Sequence, residues 1–199
     1  MRKLFYSLAL LFLSQVSFGQ AVNDQAIIPV SVTLNSILRL TVVSGGNIEF
    51  VVNTIDQYTG GINTGGANVR YHANFTVSSS RDFNVTLRAE DSQLFGQDST
   101  AAAMPLNNIG FGVVKTTTAT GVDGVNWDLP ATVLALTNTE QEIVSGIQFN
   151  AAGSNIQNDF LIQWRLGTIE GAMNGGTLLS QSLASDRYIT NVFLELVPF

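Results

Sequence analysis

Residues 69–91 read VRYHANFTVSSSRDFNVTLRAED, two runs of strict apolar–polar alternation joined by a short polar link. In the first run Val69, Tyr71, Ala73, Phe75 and Val77 share one face, and Arg70, His72, Asn74 and Thr76 share the other. In the second, Phe83, Val85, Leu87 and Ala89 oppose Asn84, Thr86, Arg88 and Glu90. A period of two is the signature of a half-buried β-strand. The link over Ser79, Ser80 and Arg81 reads as a three-residue hairpin loop. It pairs Phe75 with Val85 and Ala73 with Leu87 on the inner face. The polar face then pairs Thr76 with Asn84, Asn74 with Thr86, His72 with Arg88 and Arg70 with Glu90. A slip by two residues leaves both faces intact. In this reading His72, the one histidine of the chain, points to water among Arg81, Asp82, Arg88, Glu90 and Asp91. Charged cross-strand pairs of that kind stabilise by roughly 0.2–1 kcal/mol each.

The same alternation recurs along the chain, and helical periodicity is nearly absent. Strands are expected over 26–34, 36–43, 47–52, 109–116, 131–137, 141–149, 159–167, 176–184 and 187–197, besides the two above. Gly- and Asn-rich clusters at 59–68, 104–108, 119–126, 150–155 and 172–176 separate them and supply the positive φ angles that turns need. A short helical turn is expected near 90–96. About ten closely spaced strands without a long helix predict an all-β fold, a single antiparallel β-sandwich of immunoglobulin-like or jelly-roll-like type. The last strand argues against a membrane barrel. Counting back from Phe199 by twos places Glu195 and Asn191 on the face that would meet lipid.

The first twenty residues, MRKLFYSLALLFLSQVSFGQ, carry Arg2 and Lys3, then an apolar run from Leu4 to Leu13, then Ser17 and Gly19 two apart. That layout predicts a secretory signal peptide over 1–19 and one domain over 20–199. The apolar run is shorter than the roughly 20 residues of a spanning helix, so no transmembrane segment is expected in the mature chain. Export to the cell surface, the medium or the periplasm follows. Removing Arg2 and Lys3 leaves 7 Lys+Arg against 15 Asp+Glu, a net charge of −8. So acidic a chain repels phosphate backbones and anionic lipid surfaces, which excludes nucleic acid as an expected partner. With no cysteine there are no disulfides, and the core alone must hold the fold. Charged residues make up only 12% of the chain, against about 25% in an average soluble domain. The surface is therefore built of Asn, Thr, Ser and Gln, which suits subunits that pack on one another with few charges to desolvate.

Candidate chemistry is sparse. No serine stands in a GxSxG elbow beside His72, no phosphate loop or dinucleotide fingerprint occurs, and no enzyme activity or cofactor is expected. One histidine without cysteine excludes the usual zinc sites. In GVDGVNWD (121–128), Asp123, Asn126 and Asp128 are candidate oxygen ligands for calcium or members of an Asx-rich turn. Trp127 in the same stretch is a candidate sugar-stacking platform, or else a plug at the end of the sandwich. Lys115, the one lysine of the mature chain, is a candidate for an isopeptide cross-link to an Asn. Asp98-Ser99-Thr100 has the form of a bacterial O-glycosylation acceptor at Ser99 or Thr100.

The signal peptide, the alternating segment IIPVSVTL (27–34), the Gly/Asn-rich turns and the closing strand ITNVFLELVPF (189–199) together resemble exported bacterial fimbrial or coat-type β-sandwich proteins. The chain departs from chaperone–usher pilins in lacking their cysteine pair. The resemblance implies a non-enzymatic structural or adhesion subunit, acting by self-association or contact with other surface proteins. In that setting Ile28, Val30, Val32 and Leu34 fit an assembly strand donated to a neighbouring subunit, with Pro29 at an edge position. The same four residues also fit the first strand of the chain's own sandwich. The alternative function is a secreted carbohydrate-binding module with Trp127 as its anchor.

Overall fold

A computed structural model describes residues 28–63, 69–99 and 101–199. The expected signal peptide, part of the 59–68 turn and Thr100 lie outside the described residues. The chain divides into two units, residues 1–34 and 35–199. In the first, residues 28–34 form neither strand nor helix, and Ile28, Val30, Val32 and Leu34 are all exposed. A strand exists only where a ladder partner is hydrogen-bonded to it. This segment pairs with none, so the strand expected over 26–34 does not form in the described part, residues 28–34.

The second unit is all-β and antiparallel, with twelve strands in three sheets among the described residues. A five-stranded sheet runs β1 (Leu38–Ser44), β2 (His72–Ser79), β10 (Gly153–Leu166), β6 (Ile109–Lys115), β8 (Leu134–Ala135). A four-stranded sheet runs β12 (Val192–Pro198), β3 (Phe83–Ala89), β9 (Gln141–Gly146), β7 (Trp127–Asp128). A small third sheet runs β11 (Tyr188–Ile189), β4 (Gln93–Gly96), β5 (Ala103–Pro105). The expected all-β antiparallel class is therefore present, with twelve strands in three sheets where about ten strands were expected. The closing strand expected over 187–197 is divided between the third and the four-stranded sheets, and 176–184 forms a 3₁₀ turn at Leu179–Gln181 instead of a strand. Among the described residues one short α-helix, α1 (Ile55–Gly60), follows a capping box in which the Gln57 N–H donates to Thr54 Oγ1 and Gln57 Oε1 accepts from Thr54 N.

The opening stretch keeps its faces but not its pairing. Tyr71, Ala73, Phe75 and Val77 are buried, as are Phe83, Val85, Leu87 and Ala89, and polar residues alternate between them. Yet β2 and β3 lie in different sheets. Thr76 stands opposite Thr41 and Asp159, and His72 opposite Gln163. Asn84 stands opposite Ser145 and Val197, and Arg88 opposite Phe193. The link is an arch that carries the chain from one sheet to the other, so the two apolar faces meet through the core instead of lying side by side. A tight hairpin requires a residue at positive φ, usually Gly or Asn. The link has neither, and none of residues 79–83 adopts positive φ.

Local bonds hold the arch. Ser79 Oγ accepts from Arg81 N at 3.1 Å and donates to the Arg81 carbonyl. Ser80 and Ile37 exchange bonds that extend the β1–β2 ladder. The Asp82 carboxylate accepts three backbone N–H bonds, from Phe149 at 2.5 Å, Ala151 at 3.0 Å and Ala152 at 3.1 Å. Gly146 lets this turn close down on the arch, because a Cβ there would collide with the Phe83 carbonyl oxygen. Residues of both larger sheets join one core cluster. The contact is direct where the Trp127 ring of β7 meets Phe160 of β10 edge-on, with centroids 4.9 Å apart.

Asp82→Ala removes an acceptor from three amides, one of them on the fully buried Ala151. Stranding buried donors costs about 1–3 kcal/mol. We expect a loss of that size in equilibrium urea unfolding, with Asp82→Asn, which keeps one carbonyl acceptor, losing less.

Candidate functional site

Between the inner faces the second unit holds a cavity of about 710 Å³. Its floor is apolar and buried, with Ala73 on β2, Leu87 on β3, Ile109 on β6, Ile162 on β10 and Leu136 after β8. Its rim is formed by the more exposed segments Gly45–Phe50 and Leu183–Val192. The space opens to solvent between these rim segments, so water fills it unless a guest does.

Charge is confined to the rim. Glu49 and Arg187 form an ion pair across it at 3.5 Å, with side chains 51% and 62% exposed. Pairs this exposed contribute at most about 1 kcal/mol, so this one opens readily. The Asp186 carboxylate accepts from the backbone N–H groups of Asp98 at 2.9 Å, Ser99 at 3.0 Å and Arg187 at 2.6 Å. The Asp98 N–H foremost holds that carboxyl below its usual range. Burial pushes the Tyr188 phenol up, helped by the negative charge of Asp186, and its hydroxyl donates to the Ala184 carbonyl at 2.8 Å. The rim acid is thus saturated by the backbone and orders the 97–99 loop against 186–187.

The residues singled out in the sequence lie elsewhere. His72 does not point freely to water: it is half-buried, and its Nε2 is buried without a hydrogen-bond partner. The other charges of its stretch are dispersed by the arch. Arg88 lies 4.7 Å over the Phe193 ring, Arg70 lies 5.7 Å over Tyr71, and Glu90 accepts from Asn191. Lys115 Nζ donates to the Gly121 carbonyl at 3.2 Å. The Ser99 side of the Asp98–Thr100 triplet is exposed.

In the 121–128 turn the candidate metal ligands are engaged in the turn itself. Asp123 Oδ1 accepts from Leu129 N at 3.0 Å, and Asn126 Oδ1 accepts from Val122 N at 2.9 Å. Asn126 Nδ2 donates to the Asn150 carbonyl at 2.8 Å, and Asp128 faces solvent. Among the described residues no three His, Cys, Asp or Glu side chains gather as a metal site. Trp127 has no exposed surface. Its Nε1 donates to Asn158 Oδ1 at 3.0 Å, and the equally buried Asn158 donates in turn to the Ala151 carbonyl at 3.3 Å. A buried indole offers no face to a sugar, so Trp127 is corrected from a platform to a core residue. The cavity escaped sequence reading because its walls are ordinary alternating apolar positions. No residue pattern records where facing side chains fail to touch.

Trp127→Ala removes both the ring that joins the two larger sheets and the partner of buried Asn158. Large aromatic truncations cost about 3–5 kcal/mol. Urea unfolding is expected to show a loss in that range, whereas an exposed sugar platform would lose almost nothing. The chain matches no protein-family model and no curated protein.

Proposed function

We propose that the protein is an exported, non-enzymatic structural or adhesion-type subunit of the bacterial cell surface, acting by self-assembly. In this reading the five- and four-stranded sheets form a single β-sandwich of immunoglobulin-like or jelly-roll-like type. The Trp127–Phe160 contact and the shared core support that arrangement. One observation carries the assembly: Ile28, Val30, Val32 and Leu34 are 81%, 85%, 78% and 90% exposed, on a segment paired with no strand. Four alternating apolar side chains left in water favour burial against a partner. Open edges are available to receive them. β1 and β12 each end a sheet, and they expose Val42, Val43, Val192, Phe193 and Val197. Residues 28–34 of one copy add to such an edge in the next, with main-chain bonds for affinity and alternate side chains for register.

A second reading, a carbohydrate-binding module, is favoured by a different place from Trp127. Arg39, Thr41, Asn74, Thr76, Ser78 and Asp159, together with the apolar Val43 and Ile156, line a groove of about 480 Å³ on the outer face of β1, β2 and β10. Such a groove offers donors and acceptors to sugar hydroxyls.

Deletion of residues 28–34 tests the assembly. We expect the wild-type protein to form ordered fibres in electron micrographs and to elute as oligomers. The deletion is expected to elute as a monomer with an unchanged unfolding midpoint. Wild-type protein that stays monomeric overturns the assembly reading. A deletion that unfolds returns the segment to its own core.

A further inference from the structure

We propose that the cavity between the sheets is a binding site for an uncharged, largely apolar small molecule. This goes beyond the assembly reading and does not depend on it. The volume, about 710 Å³, lies within the range that encloses a drug-sized ligand. Leu87, Leu136 and Ile162 on the floor have almost no exposure, and among the described residues the charged side chains lining the cavity are Glu49, Asp186 and Arg187 at the rim. A charged group driven to the floor would lose its hydration with nothing to replace it. The rim carries two carboxylates against one guanidinium, and that guanidinium is paired with Glu49, so an anionic head is repelled there. Asn47 and Ser185 bring neutral polar side chains to the entrance for a hydroxyl or carbonyl of the guest, whereas the Thr190 hydroxyl and the Asn191 amide already donate to Asp91 and Glu90.

A peptide strand is a poor occupant of the same space. The strands beneath its floor are paired on both edges: β2 between β1 and β10, β3 between β12 and β9, β10 between β2 and β6. The edge strands β1 and β12 reach the lining through Val42, Val192 and Leu194. A backbone entering as far as the floor would find no free ladder there, and its own N–H and C=O groups would go unpaired. A molecule without peptide groups avoids that cost.

The probe is N-phenyl-1-naphthylamine, whose fluorescence rises in apolar surroundings, titrated into the purified protein. Its anionic relative 8-anilino-1-naphthalenesulfonate serves as the charge control. Saturable one-site binding of the neutral dye in the micromolar range is expected, with the sulfonate at least tenfold weaker. Gly46→Trp places a large side chain at the rim, where an added Cβ meets nothing within 4 Å. It is expected to weaken the neutral dye at least tenfold without moving the unfolding midpoint. If that variant fails to fold, Ala184→Trp on the opposite rim gives the same reading. Dye binding that is absent, that is equal in wild type and rim variant, or that is equally tight for the sulfonate overturns the proposal. Displacement of the dye by a synthetic peptide of residues 28–36 overturns it too, and assigns the cavity to a donated strand.

Discussion

The chain crosses from one sheet to the other between Ser79 and Phe83, and the core depends on that crossing. Without cysteines no disulfide joins the sheets. Their union rests on apolar faces brought together by the backbone and fastened by a few buried polar bonds. The arch sends Phe75 and Val77 into the core from one side and Phe83, Val85 and Leu87 from the other. Asp82 then ties the arch to the 149–152 turn through three amides, and Ala151 in that turn accepts from Asn158, which holds the indole of Trp127. A continuous path of hydrogen bonds therefore runs from the arch to the aromatic contact between the sheets. A weakly charged exterior follows naturally, since none of the interactions along this path needs a surface ion pair.

Much of this was legible in the sequence. Period-two alternation placed the buried apolar residues of β2 and β3 on their correct face, because the pleat alone dictates which side chains point together. It missed Ser79, buried at the end of β2 where a loop was expected, and Val69, which is exposed. Alternation says nothing of the partner strand, and a hairpin and an arch bury the same residues. The deciding signal was in the link, SSSRD, which lacks the Gly or Asn of a tight hairpin. A second signal also stood in plain view: Thr54-Ile55-Asp56-Gln57 spells the capping box that starts α1. The end of the chain misled for a tertiary reason. Residues 187–197 read as one β-rich run, but the ladder divides them, with Tyr188 and Ile189 beside β4 and Val192 onward beside β3.

The site was harder to read. Trp127 sits in a Gly/Asn-rich turn, a composition that suggests exposure, while the ring itself is swallowed by the core. The cavity draws on positions scattered from Val42 to Leu194, and those of its floor are unexceptional buried apolar residues. Exposed and enclosed apolar surface pull in two directions here. Unpaired alternation in residues 28–34 and along the sheet edges favours other chains, and the enclosed floor favours a guest without a backbone. The two occupants are separated by peptide hydrogen bonding: β1 and β12 end their sheets, and the strands beneath the cavity floor, β2, β3 and β10, are paired on both sides.

The arch itself is open to a direct distance measurement. The chain has no native cysteine, so spin labels can be placed at Thr76→Cys and Thr86→Cys, on the outer faces of β2 and β3. Sheets packed about 10 Å apart, with labels pointing outward from both, place the spins roughly 20 Å or more apart. Pulsed electron paramagnetic resonance should resolve that separation. A hairpin would instead bring the two positions to diagonal neighbours, with Cα atoms about 7–8 Å apart. Strong dipolar broadening in the continuous-wave spectrum would then contradict the arch, and with it the core built upon it.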